Sequence, residues 1–173
     1  MEEDLAKLEN TSIASVTRRV EELRNELNSV IEKLNTTNMT LDEVLWARMT
    51  LRKIKAEVER LARLGNEAAA LKEELEELID ELTSIEEKYQ DLRDDIADLT
   101  GRAAIKAERL SSRINELINQ TEELLHEAEN LVDELAISKA RSIINIIKSR
   151  LSMLEELVQE LEEIIREYRL MKG

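Results

Sequence analysis

The chain has 173 residues, 37% of them charged and 2% aromatic, with three glycines and no proline, phenylalanine or cysteine. A strand-built protein needs more β-branched and aromatic residues and many more turn residues, so this mixture of helix formers predicts an all-α fold. The missing cysteine excludes disulfides, thiolate catalysis and cysteine-held metal or iron–sulfur centres. A formal net charge of −14 repels duplex nucleic acid and anionic lipid unless a basic patch is segregated. No long uncharged apolar run predicts a transmembrane helix. The acidic start, Met1-Glu2-Glu3-Asp4, lacks the basic and apolar regions of a signal peptide. The expectation is a soluble protein, intracellular or recombinantly expressed, that needs no cofactor.

A first helix is predicted over residues 3–34, with one stripe through Leu5, Leu8, Val16, Val20, Leu23, Leu27, Val30 and Leu34. Ser12 fills a gap in that stripe. Asn35-Thr36-Thr37-Asn38-Met39-Thr40 then competes for backbone hydrogen bonds and predicts a loop. Thr40 and Glu43 form a capping box that opens a second helix, 41–64. Its stripe is Val44, Ala47, Leu51, Ile54, Val58 and Leu61. Leu41, Leu45, Trp46 and Met49 lie off that stripe and suggest a helix start wedged between neighbours, with Trp46 covering a bundle end.

The stripe slips at Leu64-Gly65-Asn66. Gly65 suits a helix C′ position and Asn66 a following N-cap, so a tight turn is expected there. One unbroken helix to Leu99 would be ~87 Å long at ~1.5 Å per residue, too long for a compact domain. The third helix, 67–99, carries the most regular seam: Leu71, Leu75, Leu78, Leu82, Ile85, Tyr89, Leu92, Ile96 and Leu99. The capping-box patterns within Thr83-Ser84-Ile85-Glu86-Glu87 do not interrupt it.

Thr100-Gly101 marks the next turn. The fourth helix, 102–135, runs through Ala103, Ala107, Leu110, Ile114, Leu117, Thr121, Leu124, Ala128, Leu131 and Leu135, with a second row at Ile118, Leu125 and Val132. The stripe then shifts by two positions, a rotation of ~200° at ~3.6 residues per turn. A turn near Ala136 to Ser138 follows, with Ser138 as its N-cap although no Gly, Asn or Asp stands there. The fifth helix, 138–171, is marked by Ile137, Ala140, Ile144, Ile147, Leu151, Leu154, Val158, Leu161, Ile165 and Tyr168, and an adjacent row at Ile143, Leu157, Ile164 and Met171 predicts the most buried of the five.

These segments predict one domain over residues 1–173, an antiparallel up-and-down bundle of about five helices with coiled-coil-like packing. Residues 65–99 hold thirteen acids against three bases, and 40–64 hold four against six. The opposite signs suggest that the second and third helices attract each other as an antiparallel pair. The stripes satisfy one another within the chain, so a monomer is expected rather than a homodimer.

No catalytic, cofactor-binding or metal-binding residue is assigned. Glu123-Leu124-Leu125-His126 matches the Glu-x-x-His motif of di-iron bundles, but such a site needs a second copy and two further inward glutamates. His126 is the only histidine, and its register points away from the seam. No acid falls on a seam position of the last three helices, so no enzyme is expected. Thr121 is a polar seam residue suited to bonding back to the preceding turn. Asn10, Asn35, Asn38 and Asn119 open glycosylation sequons, read as chance in an Asn/Thr-rich chain. The basic stretches 102–113 and 139–150 lack interleaved aromatics, which argues against nucleic-acid binding. The narrow acidic seams argue against a lipid-associating protein.

Continuous heptads, Glu-rich surfaces and a core of Leu, Ile, Val and Ala follow rules used to specify structure without function. In this style the whole chain resembles the de novo designed helical bundles, which implies a structural scaffold without biochemical activity. The long helices also resemble part of a spectrin-like three-helix unit, which implies a natural coiled-coil protein–protein interaction module. No ~106-residue repeat is visible.

Overall fold

The computed structural model describes residues 1–9, 13–35 and 38–172. The fold is an all-α helical bundle, as expected: α1 (Glu2–Glu9), α2 (Ala14–Leu34), α3 (Leu41–Ala97), α4 (Gly101–Asp133) and α5 (Ile137–Lys172). Two helix boundaries differ from expectation. The segment 3–34 is two helices, and the segments 41–64 and 67–99 are one.

The extended Ile13 that opens α2 comes directly after the sequence Asn10-Thr11-Ser12, three residue types that disfavour helix interiors. Ser12 and the Asn10 sequon lie outside the described residues. Ile13 is extended (φ −96°, ψ 112°), and its carbonyl accepts the first helical bonds of α2 from Val16 and Thr17. The break rephases the chain, so that Ile13, absent from the predicted stripe, is buried.

The expected turn at Gly65 does not form. Glycine inside a helix costs only about 1 kcal/mol relative to alanine, and the chain has no proline to enforce a stop. Gly65 is itself a seam residue. It is buried between Leu61 and Ala68, while Leu64 is only half-buried. The seam therefore runs Leu61, Gly65, Ala68, Leu71, Leu75, with a single three-residue step out of alternation that a continuous helix absorbs. The opposite-charge pairing expected between 41–64 and 67–99 is consequently absent, because both belong to α3.

The chain divides into two compact units, one of residues 1–72 and 131–137, the other of residues 73–130 and 138–173. In the first unit α1 packs on α2. Higher numbers on α2 meet lower numbers on α3: Arg19 pairs with Glu57, and the Lys33 ammonium lies 4.1 Å from the centre of the Trp46 ring. These two helices thus form an antiparallel hairpin closed by the Asn/Thr-rich connection, of which Thr36 and Thr37 lie outside the described residues. The Glu43 N–H donates to Thr40 Oγ1 at 3.2 Å, the forward half of the predicted capping box. The core here is Leu5, Leu8, Ile13, Val16, Val20, Leu23, Leu27 and Val30 against Ala47, Ile54, Val58 and Leu61. Leu34 and Val44, placed in the stripes from sequence, are exposed. So are Leu41, Leu45, Trp46 and Met49, which are not wedged between neighbours.

The α4–α5 connection belongs to the first unit and solves the missing-glycine problem unusually. The Ala136 N–H donates to the Leu131 carbonyl at 2.8 Å and the Leu135 N–H to the Val132 carbonyl at 3.0 Å. This is a Schellman motif with Leu135 at C′, forced to φ +62°. The Ser15 hydroxyl donates to the Asp133 carbonyl, satisfying another orphan acceptor of the helix end. α5 begins at Ile137, so Ser138 is inside the helix and is not its N-cap.

In the second unit the contacts between α3 and α5 keep a fixed register. Glu74 pairs with Lys148, Lys88 with Glu162 at 3.0 Å and Asp95 with Arg169 at 2.6 Å. Both numbers rise together, so α3 and α5 are parallel there. α4 returns between them after a three-residue connection, Asp98 to Thr100, and opens on Gly101 at φ +65°. The predicted stripes are buried from Leu71 to Tyr89 and from Ile137 to Ile165. In α4 the predicted stripe is buried at Ala107, Ile114, Leu117, Thr121 and Ala128 and its second row at Ile118, Leu125 and Val132, while Leu110, Leu124 and Leu131 are half-buried. The deeply buried Tyr89 donates its hydroxyl to Ser111 Oγ at 2.9 Å.

A Cβ added at Gly65 would lie 3.9 Å from Val16 Cγ2, an ordinary contact. Gly65→Ala is therefore expected to stabilise the chain by about 1 kcal/mol in denaturant unfolding; a loss of stability would mean that the residue needs glycine's backbone freedom after all. At Leu135, glycine is expected to exceed alanine by about 1 kcal/mol, since both remove the side chain and only glycine relieves the left-handed strain. Equal midpoints for the two variants would refute that strain.

Candidate functional site

The chemically most distinctive place in the second unit is where α3 meets α4. Glu86 follows the seam residue Ile85, and Glu122 follows the seam residue Thr121. Each sits at the margin of its helix's apolar face. The two carboxyls are brought together at the edge of a groove of about 440 Å³, which Tyr89, Asn115 and Ile118 also line. Partial burial, a hydrogen bond from one carboxyl to the other and their mutual repulsion push the Glu86 carboxyl up to about 7. On the other side of α3, burial and the facing Glu155 of α5 push the Glu81 carboxyl upward. Two like-charge pairs thus flank the same helical stretch.

Their origin is local composition. The acid-rich segment 65–99 packs along two glutamate-bearing helices, and three cross-helix ion pairs to Lys148, Glu162 and Arg169 do not reach Glu81 or Glu86. A carboxyl pair sharing one proton can relay or donate protons in principle. Here both groups lie at a groove margin rather than in an enclosed pocket. Nothing on a seam position marked Glu86 or Glu122 in the sequence. The usable signal was an acid immediately after a seam residue on each of two facing helices.

The residues weighed from sequence do not converge. His126 and Glu123 are exposed on α4, and among the described residues no group of three or more acidic, histidine or cysteine side chains could hold a metal ion. Thr121 is fully buried and donates to the Leu117 carbonyl at 2.6 Å, the expected bond to the preceding turn. The Asn119 sequon is therefore inside a helix with its threonine buried, a poor acceptor geometry. In the first unit a groove of about 660 Å³ between α1 and α3 is lined by Asp4, Lys7, Lys55 and Glu59, with Gly65 among its residues. Charges of both signs give it no preference for an ion. Among the described residues no helix is long and apolar enough to cross a membrane.

Compared with known proteins, the chain matches no family model, no curated protein and no solved structure.

The raised carboxyl carries a pH signature. A folded-state value above the unfolded one means that the native state binds the extra proton, so this contribution to stability is fully present below about 4.5 and is lost as pH rises through about 7. The melting temperature is expected to fall between pH 5 and pH 8, and Glu86→Gln to remove part of that fall while raising the melting temperature at pH 8. A variant whose pH profile parallels the parent's would show that the Glu86–Glu122 pair carries none of it.

Proposed function

We propose that the chain is a structural scaffold of the designed helical-bundle kind, with no biochemical activity of its own. The observation that carries this reading is the make-up of the buried set. Among the described residues the buried side chains are leucine, isoleucine, valine and alanine, plus Tyr89 and Thr121. The two polar groups in that set are each committed to a structural hydrogen bond, to Ser111 and to Leu117. Chemistry at a buried site depends on polar groups held for a ligand rather than spent on the fold. The surface follows the same logic: charges of both signs, helix formers throughout, and a capped start to the longest helix.

A natural coiled-coil or spectrin-like interaction module is the second reading. The up-down-up order of the three helical segments in the second unit favours it, because that is the layout of a three-helix unit.

Thermal unfolding of the full chain separates the two. A designed scaffold with idealised helices and an aliphatic core is expected to melt above about 90 °C. A midpoint in the mesophile range, about 45–65 °C, overturns the scaffold reading and moves the conclusion to the interaction module.

A further inference from the structure

The first turns of α3 carry apolar residues on two opposite sides. Ala47, Ile54, Val58 and Leu61 face the core of the first unit. Leu41, Leu45 and Met49 follow one another at four-residue spacing and are 74%, 49% and 59% exposed. Leu45 lies two residues before Ala47, about 160° around the helix. This outward stripe is bounded by charge of opposite sign at its two ends. Exposed Asp42 stands at the N-terminal end, and exposed Arg52 and Lys53 at the C-terminal end.

That arrangement is self-complementary under one operation only. With a two-fold axis at the level of Ala47, antiparallel packing sets Leu45 against Met49 of the second copy. Asp42 then meets Arg52, and Leu41 meets the aliphatic stem of Lys53. Parallel packing would set Arg52 against Arg52 and Asp42 against Asp42. An isologous interface requires the same patch to complement itself in this manner. Single exposed apolar residues are ordinary on a protein surface, but a contiguous stripe on the face opposite the core is not. Charge also discriminates among occupants. An anionic membrane is repelled by a chain of net charge −14, and a uniformly acidic helix would leave Asp42 facing like charge. A second copy satisfies both ends at once.

We propose that the outward stripe Leu41–Leu45–Met49 of α3 is a homodimer interface, two copies packing antiparallel with Asp42 paired to Arg52. This replaces the monomer expected from the seams alone, and it stands whichever reading of the function holds.

Sedimentation equilibrium of the full chain tests it between about 10 µM and about 1 mM, the range of weak association. The weight-average mass is expected to rise with concentration toward twice the 20.0 kDa of one chain. Leu45→Glu with Met49→Glu should stay monomeric throughout with unchanged helix content, since both side chains are exposed. Arg52→Asp should weaken association about tenfold, and adding Asp42→Arg should restore it. A parent chain monomeric at about 1 mM overturns the proposal, as does a double-glutamate variant that still dimerises. Failure of the charge swap to restore association overturns the antiparallel two-fold. Flotation of a monomeric parent with phosphatidylserine vesicles, or its retention by an immobilised acidic amphipathic peptide, would assign the stripe to another occupant and likewise sink the proposal.

Discussion

The seam of α3 has to be covered wherever it runs, and the two units differ in what covers it. From Ala47 to Gly65 the covering helix is α2, antiparallel to α3. From Leu75 to Tyr89 it is α4 and α5. An amphipathic helix gains little from its own backbone and most from burial of its apolar face, at about 25 cal/mol per Å². A break at Gly65 would interrupt a seam that is buried on both sides of it. Continuing the helix through glycine costs about 1 kcal/mol, less than exposing even one of the flanking leucines, at roughly 1.5–3 kcal/mol. The continuous α3 follows from that inequality.

The same weighing explains which features were legible in the residues. The stripes of α5 and of 71–89 could be read because periodicity reports a buried face directly, and every residue named in α5 up to Ile165 is buried. Thr40 and Glu43 could be read because a cap is a local hydrogen bond with a local sequence signature. Gly65 could not, since a glycine in a helix and a glycine ending one differ in φ and not in composition. The buried seam residue is Gly65 and not Leu64, so the slip at Leu64 is only apparent. Leu135 is the converse case. A left-handed C′ position is normally announced by glycine or asparagine, and here only the two-residue phase shift between α4 and α5 announced it. The start of α2 after Ile13 had its signal in three consecutive polar residues of the sequence, outweighed by the stripe drawn from Leu8 to Val16.

The carboxyl pairs were illegible for another reason. None of these acids stands on a seam position: Glu81, Glu86, Glu122 and Glu155 flank seams. Whether two flanking acids meet depends on the register between helices, which no single-helix pattern contains. The α3–α5 register sets it: the offset that brings Lys88 to Glu162 and Asp95 to Arg169 also brings Glu81 to Glu155. One register thus yields favourable and unfavourable contacts together. Exposed pairs are individually weak, at ~0.2–1 kcal/mol, so the apolar seam decides the register and the charges take what it leaves them.

This ordering of forces bears on the outward stripe at the start of α3. Inside each unit, apolar burial dictates geometry and charges adjust. At Leu41, Leu45 and Met49 the apolar residues are exposed. Three side chains are too few to dictate a geometry by area alone, because association must also offset lost translational and rotational freedom. There the charges acquire the deciding role. Asp42 at one end and Arg52 at the other contribute little energy singly, but they make one orientation attractive and its reverse repulsive. A short stripe with opposite charge at its two ends therefore specifies orientation more strongly than affinity. The interaction it supports is concentration-dependent and reversible, unlike the packing that holds each unit together.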